Sequence, residues 1–297
     1  MKKLIVKTDK TCNLTKYILN HFPTLNYNAL QKAIRNKDIK LNSKRINKDE
    51  LIKSGDILEI YITDNILYNI PKEIKYYYED ENILIAYKWQ GILSNNETSV
   101  TLNEPTFENI VKKDLNNDNL RLCHRLDRNT CGLLIFAKSN EIENEITNAF
   151  KNFEIEKHYL AYANNYKFNK LHDILEDYLF KDAKTGFSKV YKEKVVSSEK
   201  IITEYSVLEQ NKLENYAILD IILHTGKTHQ IRAHMSYIGH ELIGDSKYGK
   251  NEVNKKFKKT KQLLIAYKYN FKFNKNSKLN YLNDKIIELE KVDLKLL

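Results

Sequence analysis

The sequence predicts an α+β fold, with a mixed, mainly antiparallel sheet in a large domain that follows a small α/β module. A chain of 297 residues is long enough for two domains. Residues 1–62 contain 13 Lys and Arg against 6 Asp and Glu, so this segment holds +7 of the formal net charge of +10. Beyond it, strand and helix patterns mix without a regular βαβ alternation. We therefore expect a module over 1–62, a linker over 63–78 and a large domain over 79–297.

Local patterns predict the elements of the module. Apolar residues recur at helical spacing from Leu14, and Asn26 is placed to cap a second helix with one apolar face. Alternating apolar residues predict strands, and a turn surrounds Gly55. The expected elements are a helix over 14–22 that ends at Pro23, a helix after Asn26, a strand over 39–41, a turn over 42–45 and a strand over 57–62.

Basic side chains are concentrated in the second helix, the short strand and the turn. They are Lys32, Arg35, Lys37, Lys40, Lys44 and Arg45. A basic segment ahead of a nearly balanced body suggests contact with a polyanion, and a solvated lysine-rich surface is the alternative that composition leaves equally open. Residues 12–62 resemble the αL-type RNA-binding motif, which is also found in a small-subunit ribosomal protein and in tyrosyl-tRNA synthetase. The resemblance implies that these six side chains bind RNA.

Composition excludes several classes of protein. The three cysteines, Cys12, Cys123 and Cys131, form no C-x-x-C pair, which argues against a disulfide framework and against a zinc knuckle. Lys7 interrupts the apolar residues near the N-terminus, so they lack the apolar core of a signal peptide. No apolar run approaches the ~20 residues that cross a bilayer. We expect a soluble, monomeric protein in the reducing cytoplasm.

The large domain begins with a predicted strand over Asn82–Tyr87, and its chemistry is concentrated further along, in residues 121–138. Asp127 lies between Arg125 and Arg128, directly before the apolar run from Leu133 to Ala137. Nearby cations favour an ionised carboxylate, and a buried strand fixes its position, as an activated nucleophile requires. From spacing alone, an ordinary salt bridge in a loop is the commoner alternative.

Three ordered segments resemble the RluA-type pseudouridine synthases. His124 to Leu134 looks like the signature around the family's catalytic aspartate, with Cys131 where Ser is usual. Glu156 to Ala161 is similar to its Lys-x-Tyr-Leu-Ala strand, and Leu223 to His234 resembles its third motif, which continues through Gly244-Asp245-x-x-Tyr248-Gly249. The resemblance covers about residues 79–273. One departure is Trp89, which stands where the family's opening strand usually has Pro.

The resemblance implies an isomerase that needs neither metal nor redox cofactor, because pseudouridine formation involves no net oxidation or hydrolysis. Asp127 is implied as the essential carboxylate, and Arg232 as the arginine that pairs with it and keeps it ionised and oriented. Tyr159 is implied to stack on the uracil, and to help remove the proton at the new carbon linkage. Arg125 is implied to fill the gap that a flipped nucleotide leaves.

Large-subunit ribosomal RNA is the expected partner, and no protein partner or membrane is implied. A tRNA-directed synthase of the same family and a non-catalytic, RNA-binding ribosome-assembly factor are the alternatives. A metal-dependent hydrolase built on His224, His229, His234 and His240 is a third, although their spacing matches no known ligand pattern. The Gly226-Lys227-Thr228 segment does not form a phosphate loop, since Ile221 stands where the first glycine would be needed.

Overall fold

The computed structural model describes residues 1–22, 24–95, 104–283 and 285–290, so Pro23, the expected end of the first helix, lies outside the described residues. The chain divides into two compact units, residues 1–74 and residues 75–297. No helix among the described residues is both long enough and apolar enough to cross a bilayer.

The first unit is a small α/β module, as the sequence predicts. Its described strands are β1 (Lys2–Ile5), β2 (Cys12–Asn13), β3 (Ile39–Leu41), β4 (Lys44–Arg45), β5 (Leu51–Ile52) and β6 (Ile57–Ile60). Its described helices are α1 (Leu14–His21), α2 (Tyr27–Arg35) and α3 (Asp64–Leu67). The antiparallel sheet has the order β1-β6-β3-β4, and β2 pairs with β5. Asn26 caps α2, since its Oδ1 accepts the backbone N–H of Asn28 at 2.8 Å and of Ala29 at 3.3 Å.

The turn between β3 and β4 is shorter than predicted. Asn42 and Ser43 both have a positive φ, of 49° and 69°, the backbone of a two-residue hairpin turn. Lys44 and Arg45, expected in the turn, therefore form an edge strand that pairs with β3. This pairing brings two of the six basic residues onto the sheet.

The expected linker over 63–78 is not a separate segment. Helix α3 belongs to the first unit, where Leu67 and Tyr68 are buried. Residues Tyr76–Glu79 form β7, the first strand of the second unit. Neither α3 nor β7 was predicted from the sequence, because residues 63–78 mix charges and tyrosines and show neither helical nor strand periodicity. The division between the units lies after Ile74.

The second unit has the α+β fold that the sequence predicts. Its described strands are β7 (Tyr76–Glu79), β8 (Ile83–Lys88), β9 (Arg121–Leu122), β10 (Cys131–Ala137), β11 (Ile155–Asn164), β12 (His172–Lys181), β13 (Ser188–Tyr191), β14 (Glu199–Asn211), β15 (Tyr216–Leu223), β16 (Leu264–Phe271) and β17 (Ile286–Glu288). Its described helices are α4 (Phe107–Asp114), α5 (Asn140–Lys151), α6 (Gln230–Tyr237) and α7 (Asn251–Lys256), with a 3₁₀ turn at Asn280–Leu282.

One mixed sheet organises this unit. The strand order is β13-β12-β14-β15-β11-β16-β10-β8-β7, with β17 paired to β16 and β9 paired to β10. Among the strand pairs of the described residues, β10 with β16 is parallel and the others are antiparallel. Helix α5 covers the buried strand β10 with Ile142, Ile146 and Ala149. Every residue of β10 is buried, as its apolar run predicts.

A row of paired residues crosses the centre of the sheet. Gly132 of β10 is opposite Ala266 of β16, which is opposite Tyr159 of β11, which is opposite Ile221 of β15. The register between β11 and β16 shifts between His158 and Tyr159. The row brings the loop before β10, the middle of β11 and the loop after β15 to the same region of the unit.

Replacement of Gly132 by alanine should destabilise the second unit severely. An added Cβ would lie 2.1 Å from the carbonyl oxygen of Ala266, and φ at this glycine is +125°. We expect the free energy of unfolding in urea to fall by about 3 kcal/mol or more. Gly239→Ala is the matched control, because φ there is +84° but nothing lies within 4 Å. Gly239→Ala should lower the free energy of unfolding by only about 1–2 kcal/mol. Equal losses of unfolding free energy in the two variants would contradict the close contact between Gly132 and β16.

Candidate active site

Asp127 lies in the loop between β9 and β10, and hydrogen bonds hold this loop on both sides of it. The N–H of Thr130 donates to the carbonyl oxygen of Asp127 at 3.0 Å. Ser94 Oγ accepts the N–H of Leu126 at 3.0 Å and donates to the carbonyl oxygen of Leu126 at 2.8 Å. The carboxylate is therefore presented from a fixed backbone rather than from a free loop.

A buried lysine ties the same loop to strand β8. The Lys88 ammonium donates to the carbonyl oxygens of Ile92 at 3.0 Å, Arg128 at 3.2 Å and Trp89 at 3.3 Å. Lys88 is completely buried, and burial lowers its pKa to about 7. Gly91 adds a hydrogen bond from its N–H to the Arg128 carbonyl oxygen at 2.7 Å. Sequence reasoning gave Lys88 no role, although the Lys88-x-x-Gly91 spacing was a signal.

Trp89, the departure from the family pattern, packs edge-on against Phe107 of α4, with ring centroids 5.6 Å apart. Its indole Nε1 is buried without a hydrogen-bond partner among the described residues. The ring is thus a packing element next to the loop that Lys88 holds.

Arg232 of α6 bridges two carboxylates. Its Nε and Nη2 donate to the two oxygens of Asp245, at 2.7 and 2.9 Å, and its Nη1 donates to Oδ2 of Asp127 at 3.1 Å. Burial alone would raise the pKa of Asp245, but the hydrogen bonds and charge of Arg232 lower it below its usual value. Asp245 also accepts the backbone N–H groups of Lys247 and Tyr248. The bidentate pair fixes the guanidinium so that one nitrogen faces Asp127.

Asp245 is a site residue to which sequence reasoning gave no role. Its signal was present in the Gly244-Asp245-x-x-Tyr248-Gly249 segment, but nothing in one sequence says that its carboxylate meets Arg232. Arg232 and Asp245 are both buried, so the pair also anchors α6 against the loop after it.

Tyr159 projects from β11 into the same region and is buried. Burial raises the pKa of its hydroxyl, and the negative charge of Asp127 raises it further. The side chain therefore keeps its phenolic proton at neutral pH and offers a flat ring beside the carboxylate.

These side chains line one cleft with a volume of about 200 Å³. Asp127, Tyr159, Arg232 and Arg125, the four residues predicted for the reaction, all line it. Arg125 is also exposed to solvent. The volume lies below the ~300–1,000 Å³ of pockets for drug-sized ligands, so the cleft suits a single flat ring. Its walls come from the loop before β10 and from the loop between β15 and α6.

The basic residues of the first unit form a surface of their own. Arg45 Nη1 donates to the carbonyl oxygen of Lys37 at 2.5 Å. Lys40 and Arg45 both lie over the ring of Tyr61, at 5.2 and 5.5 Å from its centroid. The structure thus brings together two of the six predicted side chains, Lys40 and Arg45, around an aromatic ring that sequence reasoning did not single out.

The four histidines of the metal alternative have separate partners. His224 contacts Glu204 at 2.7 Å, and His240 stacks on Phe168 with centroids 3.6 Å apart. His234 lies buried between Thr203 Oγ1 at 2.9 Å and Asp177 Oδ2 at 3.0 Å. No group of three or more His, Cys, Asp or Glu side chains in the described part of the chain could hold a metal ion.

His229, the fourth of these histidines, lines the same cleft as Asp127. Its Nε2 lies 3.9 Å from Oδ2 of Asp127. Sequence reasoning considered this histidine only as a metal ligand, so its place beside the carboxylate was missed.

The comparisons agree on one family. The family model described as RNA pseudouridylate synthase matches residues 82–237. An uncharacterised RNA pseudouridine synthase of Mycoplasma capricolum is 34% identical, over 97% of each chain. A ribosomal large subunit pseudouridine synthase D of Borreliella burgdorferi is 30% identical, over 83% of this chain and 75% of the relative.

A further relative and a solved structure extend the agreement. A ribosomal large subunit pseudouridine synthase C of Rickettsia conorii is 26% identical, over 84% of this chain and 86% of the relative. The solved structure of human RNA pseudouridylate synthase domain containing 1 has a similar fold, with a TM-score of 0.58 at 18% identity over 75% of this chain and 84% of that one. The chain belongs to the RNA pseudouridine synthases, of RluA type, and is an isomerase.

Proposed function

We propose that this protein converts specific uridines of large-subunit ribosomal RNA to pseudouridine, with Asp127 as the catalytic carboxylate. The observation that supports this most directly is the Asp127 carboxylate in a small cleft, 3.1 Å from an arginine that Asp245 holds in place. A nucleophile must be both reactive and fixed, and this arrangement supplies both.

The reaction breaks the bond from N1 of uracil to C1′ of ribose, turns the ring and joins C5 to C1′. Asp127 reaches the reacting nucleotide, and Arg232 orients its carboxylate through the hydrogen bond from Nη1. Tyr159 stacks on the ring, and one such stack contributes ~1–3 kcal/mol, enough to retain a detached base. Because burial raises its pKa, Tyr159 enters the reaction as a neutral hydroxyl.

A uridine within folded RNA must leave its stack before it reaches the cleft, at a cost of roughly a few kcal/mol. Arg125, exposed and lining the cleft, is proposed to occupy the gap that the flipped nucleotide leaves. Its planar guanidinium can stack between bases and also contact phosphate.

The first unit is proposed to hold the RNA through its phosphates. Lys32, Arg35, Lys37, Lys40, Lys44 and Arg45 supply the positive charge, and Tyr61 lies beneath two of them, Lys40 and Arg45. Such contacts give affinity that depends little on sequence and falls with salt.

The choice of ribosomal RNA is supported by relatives named as large-subunit synthases C and D, at 26% and 30% identity. Action as a monomer in the cytoplasm is part of the same proposal. A tRNA-directed synthase is the second candidate within the family. A non-catalytic assembly factor is disfavoured, since such a protein has no need of the Asp127–Arg232–Asp245 arrangement.

Incubation of the protein with transcribed large-subunit ribosomal RNA and, separately, with unmodified tRNA tests the proposal. Carbodiimide mapping should find pseudouridine at defined positions of the ribosomal RNA. Modification of tRNA alone would establish the second candidate instead. Binding to ribosomal RNA without any modification of either RNA would establish the assembly factor.

Replacement of Lys37, Lys40 and Arg45 together by alanine should weaken RNA binding and flatten its salt dependence. Each lost phosphate contact removes roughly 0.7–0.9 from the slope of log Kobs against log salt concentration, so the loss of three contacts should make the slope smaller by about 2–3. Filter binding at several salt concentrations measures it. The matched control replaces the exposed Lys7, Lys10 and Lys16 by alanine. An equal change in both triple variants would mean that RNA contacts the module without a defined surface.

A further inference from the structure

His229 lines the cleft beside Asp127 but has no role among the residues proposed so far for the reaction. It is the residue before α6, with left-handed backbone angles (φ 60°, ψ 19°). Its ring lies edge-on to Tyr248, with centroids 5.6 Å apart, and its side chain is 18% exposed, toward the cleft that Asp127 lines. The backbone N–H of Ala233 donates to the His229 carbonyl oxygen at 2.9 Å, and the Tyr248 ring packs against the imidazole, so both the backbone and the ring are held by their neighbours.

Tyr248 is placed to fix the protonation of the His229 ring. The backbone N–H of Ser188 donates to the Tyr248 hydroxyl oxygen at 2.7 Å. The same hydroxyl lies 3.0 Å from Nδ1 of His229. When it donates its hydrogen to Nδ1, the neutral imidazole carries its own hydrogen on Nε2, and this is the form that leaves an N–H group facing the cleft.

The surroundings of His229 favour this neutral form. Burial lowers its pKa to about 4, and the positive charges of Arg232 and Lys247 act in the same direction, against the opposing charges of Asp127 and Asp245. A neutral ring also suits the site, because a second cation beside Asp127 would compete with Arg232 for the carboxylate and reduce its reactivity.

The Nε2–H group points to the cleft without an acceptor. The distance from Nε2 to Asp127 Oδ2 is 3.9 Å, beyond hydrogen-bond range. The described residues supply no other acceptor to Nε2. A fixed, neutral donor thus lies next to the carboxylate, in the space where the base must turn. A neutral imidazole at the start of a helix is known to stabilise developing negative charge on an oxygen atom without giving up its proton.

We propose that His229 is a further catalytic residue, whose Nε2–H donates a hydrogen bond to a carbonyl oxygen of the uracil ring while the ring is detached from the ribose. This inference rests on the proposed function. When the bond from N1 to C1′ breaks, its electron pair stays on the ring and spreads onto N1 and the carbonyl oxygens. The new bond uses a ring electron pair at C5, C5 loses its proton, and N1 gains one. His229 keeps its proton throughout.

Four variants test the position of the donor. Removal of one such donor typically lowers kcat by about 10²–10³-fold, so His229→Ala should lower kcat by about 100-fold with little change in KM. His229→Asn tolerates the left-handed backbone and keeps a group near Nδ1, but its amide does not reach the Nε2 position. It should be as slow as His229→Ala while folding normally. His229→Gln places its amide nitrogen near the Nε2 position. Its kcat should therefore be at least tenfold higher than that of His229→Ala. His224→Ala, which removes a histidine outside the cleft lining, is the control and should match the wild type.

Thio-substituted RNA tests the acceptor. In the wild type, either 2-thiouridine or 4-thiouridine at the target position should slow the reaction, because sulfur accepts hydrogen bonds weakly. In His229→Ala this sensitivity should disappear. The assay uses whichever RNA the wild type modifies, ribosomal or transfer, so that an error in the RNA target does not affect the outcome. Equal sensitivity in the two proteins, or a wild-type kcat in His229→Ala, would overturn the proposal.

Nitrogen-15 NMR of labelled histidine gives a readout independent of activity. In the wild type at neutral pH, His229 should be neutral with its hydrogen on Nε2. In Tyr248→Phe, which lacks the hydroxyl that selects this form, both neutral forms should appear. A protonated His229 at neutral pH, or a hydrogen on Nδ1 in the wild type, would refute the assignment.

Discussion

Asp127→Asn is expected to abolish pseudouridine formation and to leave the protein folded. Asparagine keeps the shape of the side chain and can still accept a hydrogen bond from Arg232 Nη1, which lies 3.1 Å from Oδ2 in the structure. It removes the negative charge, so the side chain can no longer act as a nucleophile. Loss of a nucleophile costs on the order of 10⁴-fold or more in rate. Carbodiimide mapping of transcribed ribosomal RNA, followed over time, measures the loss.

The controls for this variant separate chemistry from folding and from RNA binding. Asp118→Asn changes an exposed aspartate and should keep the wild-type rate. Circular dichroism and filter binding should give the same fold and similar RNA affinity for Asp127→Asn and the wild type. Modification by Asp127→Asn at the wild-type rate would remove this residue from the mechanism.

Arg232→Met is expected to lose both activity and stability. Methionine fills much of the same space, but it leaves the fully buried Asp245 carboxylate without its bidentate partner and Asp127 without its positioning group. An unpaired buried charge costs about 3–5 kcal/mol of unfolding free energy. Urea denaturation at neutral pH measures that loss, and RNA mapping should find no pseudouridine.

The stability loss in Arg232→Met should depend on pH, with a definite sign. In the wild type the pKa of Asp245 is lowered, so its contribution to stability is present above the unfolded value of about 4 and is lost as the pH falls through the folded value. In the variant, burial without Arg232 raises the pKa, so protonation restores stability as the pH falls. The difference between the two proteins should therefore begin to shrink above about pH 4, where the carboxyl of the variant is protonated, and shrink further below about pH 4, where the wild type loses the contribution of the pair. A constant difference from pH 7 to pH 3 would mean that the unpaired charge is not its cause.

A second substitution distinguishes the two effects of Arg232→Met. Adding Asp245→Asn removes the buried charge but keeps an oxygen for the backbone N–H groups of Lys247 and Tyr248. The double variant should regain much of the stability and none of the activity, because Asp127 still lacks its partner. Recovery of activity together with stability would show that Arg232 acts only on the fold.

The sequence by itself determined the features that depend on neighbouring residues. Apolar patterns and a helix cap predicted α1, α2 and β8, because buried side chains recur at a fixed spacing along a helix or a strand. The lack of a βαβ alternation gave the mainly antiparallel sheet. Three ordered motifs gave the family and the four residues that the structure places in one cleft.

Only the tertiary structure decided what meets in space. Asp127 and Arg232 are 105 residues apart in the chain, and they approach because the register across β10, β16, β11 and β15 places the start of β10 level with the end of β15. The same packing brings Asp245 to Arg232, Lys88 to the loop before β10 and the Tyr248 hydroxyl to Nδ1 of His229. A single sequence states which groups are available, but hydrogen bonds between distant segments depend on strand order and register, which local periodicity does not specify.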